Sequence, residues 1–181
     1  MIIGLTGYKG SGKTAIAKYL RDTYGFVVLS FAEPLKRAAI VIYGLSPAQV
    51  DGDKKEEIDT RYGISPRYIM QQLGTEVCRT IHSDTWILAL HRAMTIRTYE
   101  DRKDFVIDDV RFNNEADAIR QWGGEIWTVK RPLLTLSDQH TSEIGITSTH
   151  VRDKALTNNG SIQELHDKVS IIMNYIKERQ A

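Results

Sequence analysis

Eight consecutive residues constrain this chain more than any other stretch: Gly7-Tyr8-Lys9-Gly10-Ser11-Gly12-Lys13-Thr14 satisfies the pattern G-x-x-x-x-G-K-[ST] in full. A short apolar run, Met1 to Thr6, precedes it, and AIAKYL, with apolar positions at helical spacing, follows it. Strand, loop, helix is the order such a loop needs to work. Glycines let the backbone curl so that the N–H groups around Lys9, Gly10, Ser11 and Gly12 turn inward onto phosphate oxygens, and the positive end of the following helix adds to the attraction. Lys13 is then expected to reach the β- and γ-phosphates of ATP, with the Thr14 hydroxyl a ligand for Mg²⁺.

Composition narrows what else the chain can do. Its 181 residues are 41% hydrophobic, enough for one compact domain with a sizeable core. Lysine and arginine number 24 against 23 acids, a net charge of +1, so no broad basic field exists to hold a nucleic acid polymer and phosphate binding must be local. The single cysteine, Cys78, allows neither an internal disulfide nor a multi-cysteine zinc site. With no secretory leader and no apolar run of membrane length, the expected setting is a reducing cytoplasm without a membrane partner.

Further along, FVVLSF from Phe26 to Phe31 reads as a second strand, and Glu33 to Tyr43 as a helix with Pro34 in its first turn. Ser46 to Arg61 is charged and poor in apolar residues, so it reads as an exposed loop excursion. Ser65 and Pro66 look like an N-cap and first helical position for RYIMQQLGTEVCRTI, and Asp84 opens another helix through WILALHRAM. FVID from Phe105 to Asp108 is a buried-strand candidate, Asn114 to Trp122 a helix, and EIWTV from Glu125 to Val129 a further strand. Arg131 to Arg152 shows no sustained period and reads as a lid candidate; Ser161 with Glu164 forms a capping box for the last helix. The alternation implies an α/β fold: a parallel sheet with helices on both faces.

Asp108 and Asp109 end the third strand, where an acid is expected near the magnesium ion, though both could also cap the strand or pair with Arg111. A GTP-driven switch would carry Asp-x-x-Gly at this point and Asn-Lys-x-Asp late in the chain. Here Asp109-Val110-Arg111-Phe112 and Asn158-Asn159-Gly160-Ser161 stand instead. Helices inserted after the second strand, with an arginine-bearing irregular segment before the last helix, suit an enzyme that moves a phosphoryl group while excluding water.

Five stretches together carry a family resemblance: GYKGSGKT, SFAEPLK from Ser30 to Lys36, QLGTE from Gln72 to Glu76, DVRFNNEA from Asp109 to Ala116, and DQHTSE from Asp138 to Glu143. The chain resembles the deoxynucleoside monophosphate kinases of tailed bacteriophages. The resemblance implies a P-loop nucleoside monophosphate kinase fold with a five-stranded parallel sheet. It also implies phosphoryl transfer from ATP to a deoxynucleoside monophosphate (dNMP), in host cytoplasm if the protein is phage-encoded. The single domain would then have a core of residues 1–32 and 103–181, an acceptor-binding insertion at about 33–100 and a lid at about 131–152. Matching positions put Lys36, Arg37, Arg67, Gly74, Thr75 and Trp86 near the acceptor, and Asp109 and Arg111 beside the transferred group. In chemical terms Arg67 offers a planar fork for phosphate, Gly74 room for close approach, and Trp86 either a flat face for a base or a core side chain. Arg131 and Arg152 flank the lid candidate and are expected to clamp ATP phosphates. A homodimer is a further expectation. Dephospho-coenzyme A kinase, whose N-terminus also begins with GLTG, is the rival kinase reading; a nucleotide-controlled ATPase module without a small acceptor is the rival from another class.

Overall fold

The computed structural model describes residues 1–100, 104–132 and 146–178. The chain divides into two compact units, Met1–Leu29 with Arg97–Ala181, and Ser30–Ile96.

The first unit is built on strands β1 (Ile2–Thr6), β2 (Val27–Leu29), β3 (Phe105–Ile107), β4 (Glu125–Lys130) and β5 (Lys154–Thr157). All pair in parallel, in the order β2-β3-β1-β4-β5. Central strands of such a sheet are covered on both faces, which is why β1 and β3 are short apolar runs without polar alternation. Ile3 and Leu5 pack with Ile16 and Leu20 of helix α1 (Lys13–Tyr24) and with Leu165, Val169 and Met173 of the C-terminal helix Ile162–Glu178. Gly4, between them, faces the opposite side, toward Ile119 of helix Asn113–Gln121. The connection leaving β1 therefore climbs to one face and the one leaving β3 to the other. A crevice opens between such strands at their C-terminal ends, the usual ligand site of open α/β sheets.

The second unit holds α2 (Ala32–Tyr43), α3 (Pro47–Val50), α4 (Pro66–Gln71), a π-helical turn Gln72–Val77, α5 (Cys78–Ile81) and most of α6 (Thr85–Glu100). With these named, helix Asn113–Gln121 is α7 and helix Ile162–Glu178 is α8. Ala39, Leu45, Val50, Ile69 and Met70 form its core with Leu35, Ile40 and Tyr43.

Residues 46–61 depart from the plain loop expected. They include α3, a 3₁₀ turn at Asp53–Lys55 and an isolated bridge between Asp59 and Ile64. The organiser is Asp59, buried, whose carboxylate accepts from the Arg61 side chain (2.7 and 3.0 Å), the Arg61 N–H and Gln49 Nε2 (2.8 Å). These bonds, the Arg61 guanidinium first, outweigh burial and hold the carboxyl well below the usual carboxylate range. The capping box at Ser161 forms as expected, with Ser161 N–H donating to Glu164 and Glu164 N–H to Ser161 Oγ. No described helix is long and apolar enough to cross a membrane.

Candidate active site

The loop after β1 takes the conformation its glycines permit: φ is +138° at Gly7, +80° at Gly10 and +112° at Gly12, and no described non-glycine residue has positive φ. Gly12 is the N-cap of α1 and offers no side-chain cap, so the helix presents its first N–H groups to whatever occupies the loop. Ser11 is 1% exposed, yet its Oγ has no hydrogen-bond partner among the described residues. A buried hydroxyl left in that state is costly, and an oxygen-rich anion would supply the missing partner. Lys13 Nζ donates to the carbonyls of Gly7 (2.5 Å) and Tyr8 (2.9 Å), which stations its charge over the loop. Thr14, at the second helical position, is exposed. Cradle, cation and hydroxyl fit a nucleotide's phosphates.

The acids arrive from β3. Asp108 N–H donates to Leu29 O (3.2 Å) and Val110 N–H to Leu5 O (3.0 Å), so the half-buried pair Asp108–Asp109 sits where the ends of β2, β3 and β1 meet. One carboxylate that the sequence reading did not single out governs this corner: Glu115, 2% exposed, accepts through Oε2 from the N–H groups of Arg111 (2.8 Å) and Phe112 (3.1 Å). It caps the start of α7 and shapes the turn that carries Asp109 and Arg111. An acid three residues inside a helix start was its available signal. Among the described residues no group of three His, Cys, Asp or Glu is placed to hold a metal through protein ligands alone.

In the second unit, Gly74 lies in the π-helical turn, and a Cβ there would come within 2.7 Å of Leu35 Cδ2. The glycine thus stands directly against the Leu35 side chain of α2. Trp86 Nε1–H donates to the Gly74 oxygen of this turn at 2.9 Å in a buried bond. Trp86 itself is 8% exposed, so the indole stands in the core of this unit. Lys36 pairs with Asp51 (2.5 Å), Arg37 with Glu33 (3.0 Å) and Arg67 with Glu56 (3.5 Å). Thr75 follows Gly74 in the same turn and is half-buried. Gly74 and Trp86 are brought into contact; each of the three cations has a carboxylate beside it.

The arginines around the lid candidate fare differently. Arg131 is exposed just past β4. Arg152 does not meet the expectation of an ATP clamp: it precedes β5, at the sheet edge opposite the loop, and donates to the carbonyls of Gly123 (3.2 Å) and Arg120 (3.3 Å) at the end of α7. A cation on those carbonyls is a helix C-terminal cap. Residues 146–153 run along α7, tied by Asn113 to Thr147 and Ser148 and by Arg120 to Ser148 and Asp153. The rest of the lid candidate, residues 133–145 with the DQHTSE stretch and His140, Ser142 and Glu143, lies outside the described residues.

A family model described as deoxynucleotide monophosphate kinase matches residues 47–169. A protein of Acanthamoeba polyphaga mimivirus named putative deoxynucleotide monophosphate kinase is 39% identical over 93% of this chain and 94% of its own length. The deoxynucleoside-5'-monophosphate kinase of Escherichia phage T5 is 24% identical over 91% of this chain and 92% of its own. Among solved structures, a dephospho-CoA kinase from Campylobacter jejuni superposes with a TM-score of 0.54 at 13% identity, covering 99% of this chain and 98% of that one. A gluconokinase from Sinorhizobium meliloti 1021 gives 0.52 at 11%, covering 98% and 94%. At such identities these two structures speak for the fold alone.

Proposed function

Because the chain belongs to the deoxynucleotide monophosphate kinase family, we propose that it transfers the γ-phosphoryl group of ATP to a deoxynucleoside monophosphate, giving the diphosphate and ADP. The observation that carries the donor half is the loop itself: a glycine cradle with an unpartnered buried Ser11 hydroxyl and a lysine over its mouth. Backbone N–H groups from Lys9 to Thr14 bind the β- and γ-phosphates. Lys13 leaves its carbonyl partners for the phosphate oxygens and offsets the charge that spreads over them during transfer. The Thr14 hydroxyl, with waters ordered by Asp109 or Asp108, would hold a magnesium ion alongside the nucleotide, and that ion would supply neutralisation of phosphate charge. Arg111, on the turn fixed by Glu115, stands beside the transferred group.

The acceptor half belongs to the inserted helices. Arg67 grips the acceptor's phosphate with two parallel N–H donors, exchanging a carboxylate for a phosphate. Lys36 and Arg37 add positive charge, and the turn at Gly74–Thr75 lies against the nucleoside. Trp86 acts here by holding that turn through the Gly74 carbonyl. Arg131 completes the donor set. A coupled assay of ADP formation, run with ATP against each of the four common deoxynucleoside monophosphates, dephospho-coenzyme A and no acceptor, tests the reading. Turnover dependent on at least one deoxynucleoside monophosphate is expected. Equal ADP formation without acceptor, or turnover with dephospho-coenzyme A alone, would overturn it.

A further inference from the structure

We infer that Asn158, from the far end of the chain, is a positioning residue for the phosphate-binding loop and sets the affinity for ATP; this rests on the reading of that loop as the ATP site. Asn158 follows β5 directly, and its backbone N–H donates to Lys130 O at 2.7 Å, extending the β4–β5 ladder one step beyond the Lys130–Thr157 pair. Its main chain is thereby anchored to the C-terminal edge of the sheet. From there the side-chain Nδ2 donates to the Ser11 carbonyl at 2.8 Å. Only the amide nitrogen can serve a carbonyl acceptor, so the orientation of the side chain follows from the contact.

The consequence is geometric. In a trans peptide the C=O and the next N–H point to opposite sides, and no described peptide is cis. Drawing the Ser11 oxygen toward Asn158 therefore turns the Gly12 N–H away from it, leaving that donor for a ligand. Gly12 is fitted to the same contact: a Cβ there would lie 2.7 Å from Asn158 Nδ2 and 3.2 Å from Leu165 Cδ2, in addition to the demand of φ +112°. Ser11 is thus held through its carbonyl while its buried hydroxyl has no partner among the described residues. A residue fixed at the backbone and unspent at the side chain is preorganised for a ligand, and preorganisation lowers the cost of binding. Nothing in the eight-residue motif encodes this.

Two substitutions test it in the full chain. Asn158→Ala removes the donor and is expected to weaken ATP binding about 10-fold. Asn158→Asp keeps the shape but sets a carboxylate against the Ser11 carbonyl, and is expected to weaken it about 100-fold. Both should leave the KM of the deoxynucleoside monophosphate unchanged, a split that a general loosening of the fold would not produce. Calorimetric titration with MgATP and steady-state kinetics with each substrate varied give the two readouts, and if the Asp variant does not fold, the Ala variant decides alone. ATP affinity within twofold of wild type in the folded variants overturns the inference, as does a parallel rise in the acceptor KM. If wild type itself binds no MgATP, the loop reading falls and the inference with it; if wild type binds and the variants bind equally, only the inference falls.

Discussion

In the proposed reaction the loop at Gly7–Thr14 and the inserted helices solve one problem, holding a phosphate, in contrasting ways. The loop does it with contiguous residues and mostly with main chain: three glycines at positive φ, a helix start and one lysine, all between Gly7 and Thr14. The insertion spreads its proposed residues from Lys36 to Trp86, and they depend on packing: Leu35 against Gly74, Trp86 on the Gly74 carbonyl, Lys36 beside Asp51. A site made of backbone can lose a side chain and stay folded. A site assembled by packing loses stability and function together.

That contrast is sharpest at Lys13. Lys13→Ala removes a charge that lies on the loop carbonyls of Gly7 and Tyr8 and takes no part in the packed core, so phosphoryl transfer is expected to fall about 10³-fold or more while the melting temperature barely moves. Comparing kcat with a thermal melt of the same sample checks both halves. Next is Arg67→Lys, which keeps the charge but not the fork; the acceptor KM should rise and kcat fall, a combined penalty of about 2 to 3 kcal/mol, with the ATP KM steady. A defect confined to ATP would remove Arg67 from the acceptor half. Trp86→Phe should remove the buried hydrogen bond to the Gly74 oxygen and destabilise the protein by about 1 to 3 kcal/mol in urea unfolding, with a rise in the acceptor KM. Unchanged stability there would break the comparison from the insertion's side.

The smallest effect concerns pH. Asp59 has a depressed folded-state pKa, so the stability it adds is present above the ordinary carboxylate range and is lost as pH falls below about 4. Wild type should melt above Asp59→Asn near neutrality, and the gap should close in acid. A gap that widens in acid would contradict the Arg61 and Gln49 contacts as the cause.

Legibility follows the same divide. The strand, loop and helix at the N-terminus were readable because each is specified by neighbours in sequence, and so were β3, α7, β4 and the Ser161–Glu164 cap. β5 was not: Lys154–Thr157 is four residues with only Leu156 buried, too short to show a period, and it exists because β4 offers it an edge. The order within residues 46–61 was hidden for a related reason, since a run of charges reads as solvated until one of them, Asp59, finds Arg61 and Gln49 and becomes buried. RYIMQQLGTEVCRTI looked like one helix; its π turn is met by Leu35 and Trp86, contacts that helical periodicity within the stretch does not record. Arg152 was misplaced because proximity in sequence to an irregular stretch says nothing about which edge of a sheet a residue reaches. Asn158 and Glu115 went unseen as site residues because each acts through backbone atoms of other residues.

Incubation with ATP labelled at the γ-phosphate and a deoxynucleoside monophosphate, followed by separation of the nucleotides, tests the central claim most directly. The account predicts label in the deoxynucleoside diphosphate, and almost none there with Lys13→Ala. Label appearing only as inorganic phosphate, whichever of the four common deoxynucleoside monophosphates is supplied, would contradict it.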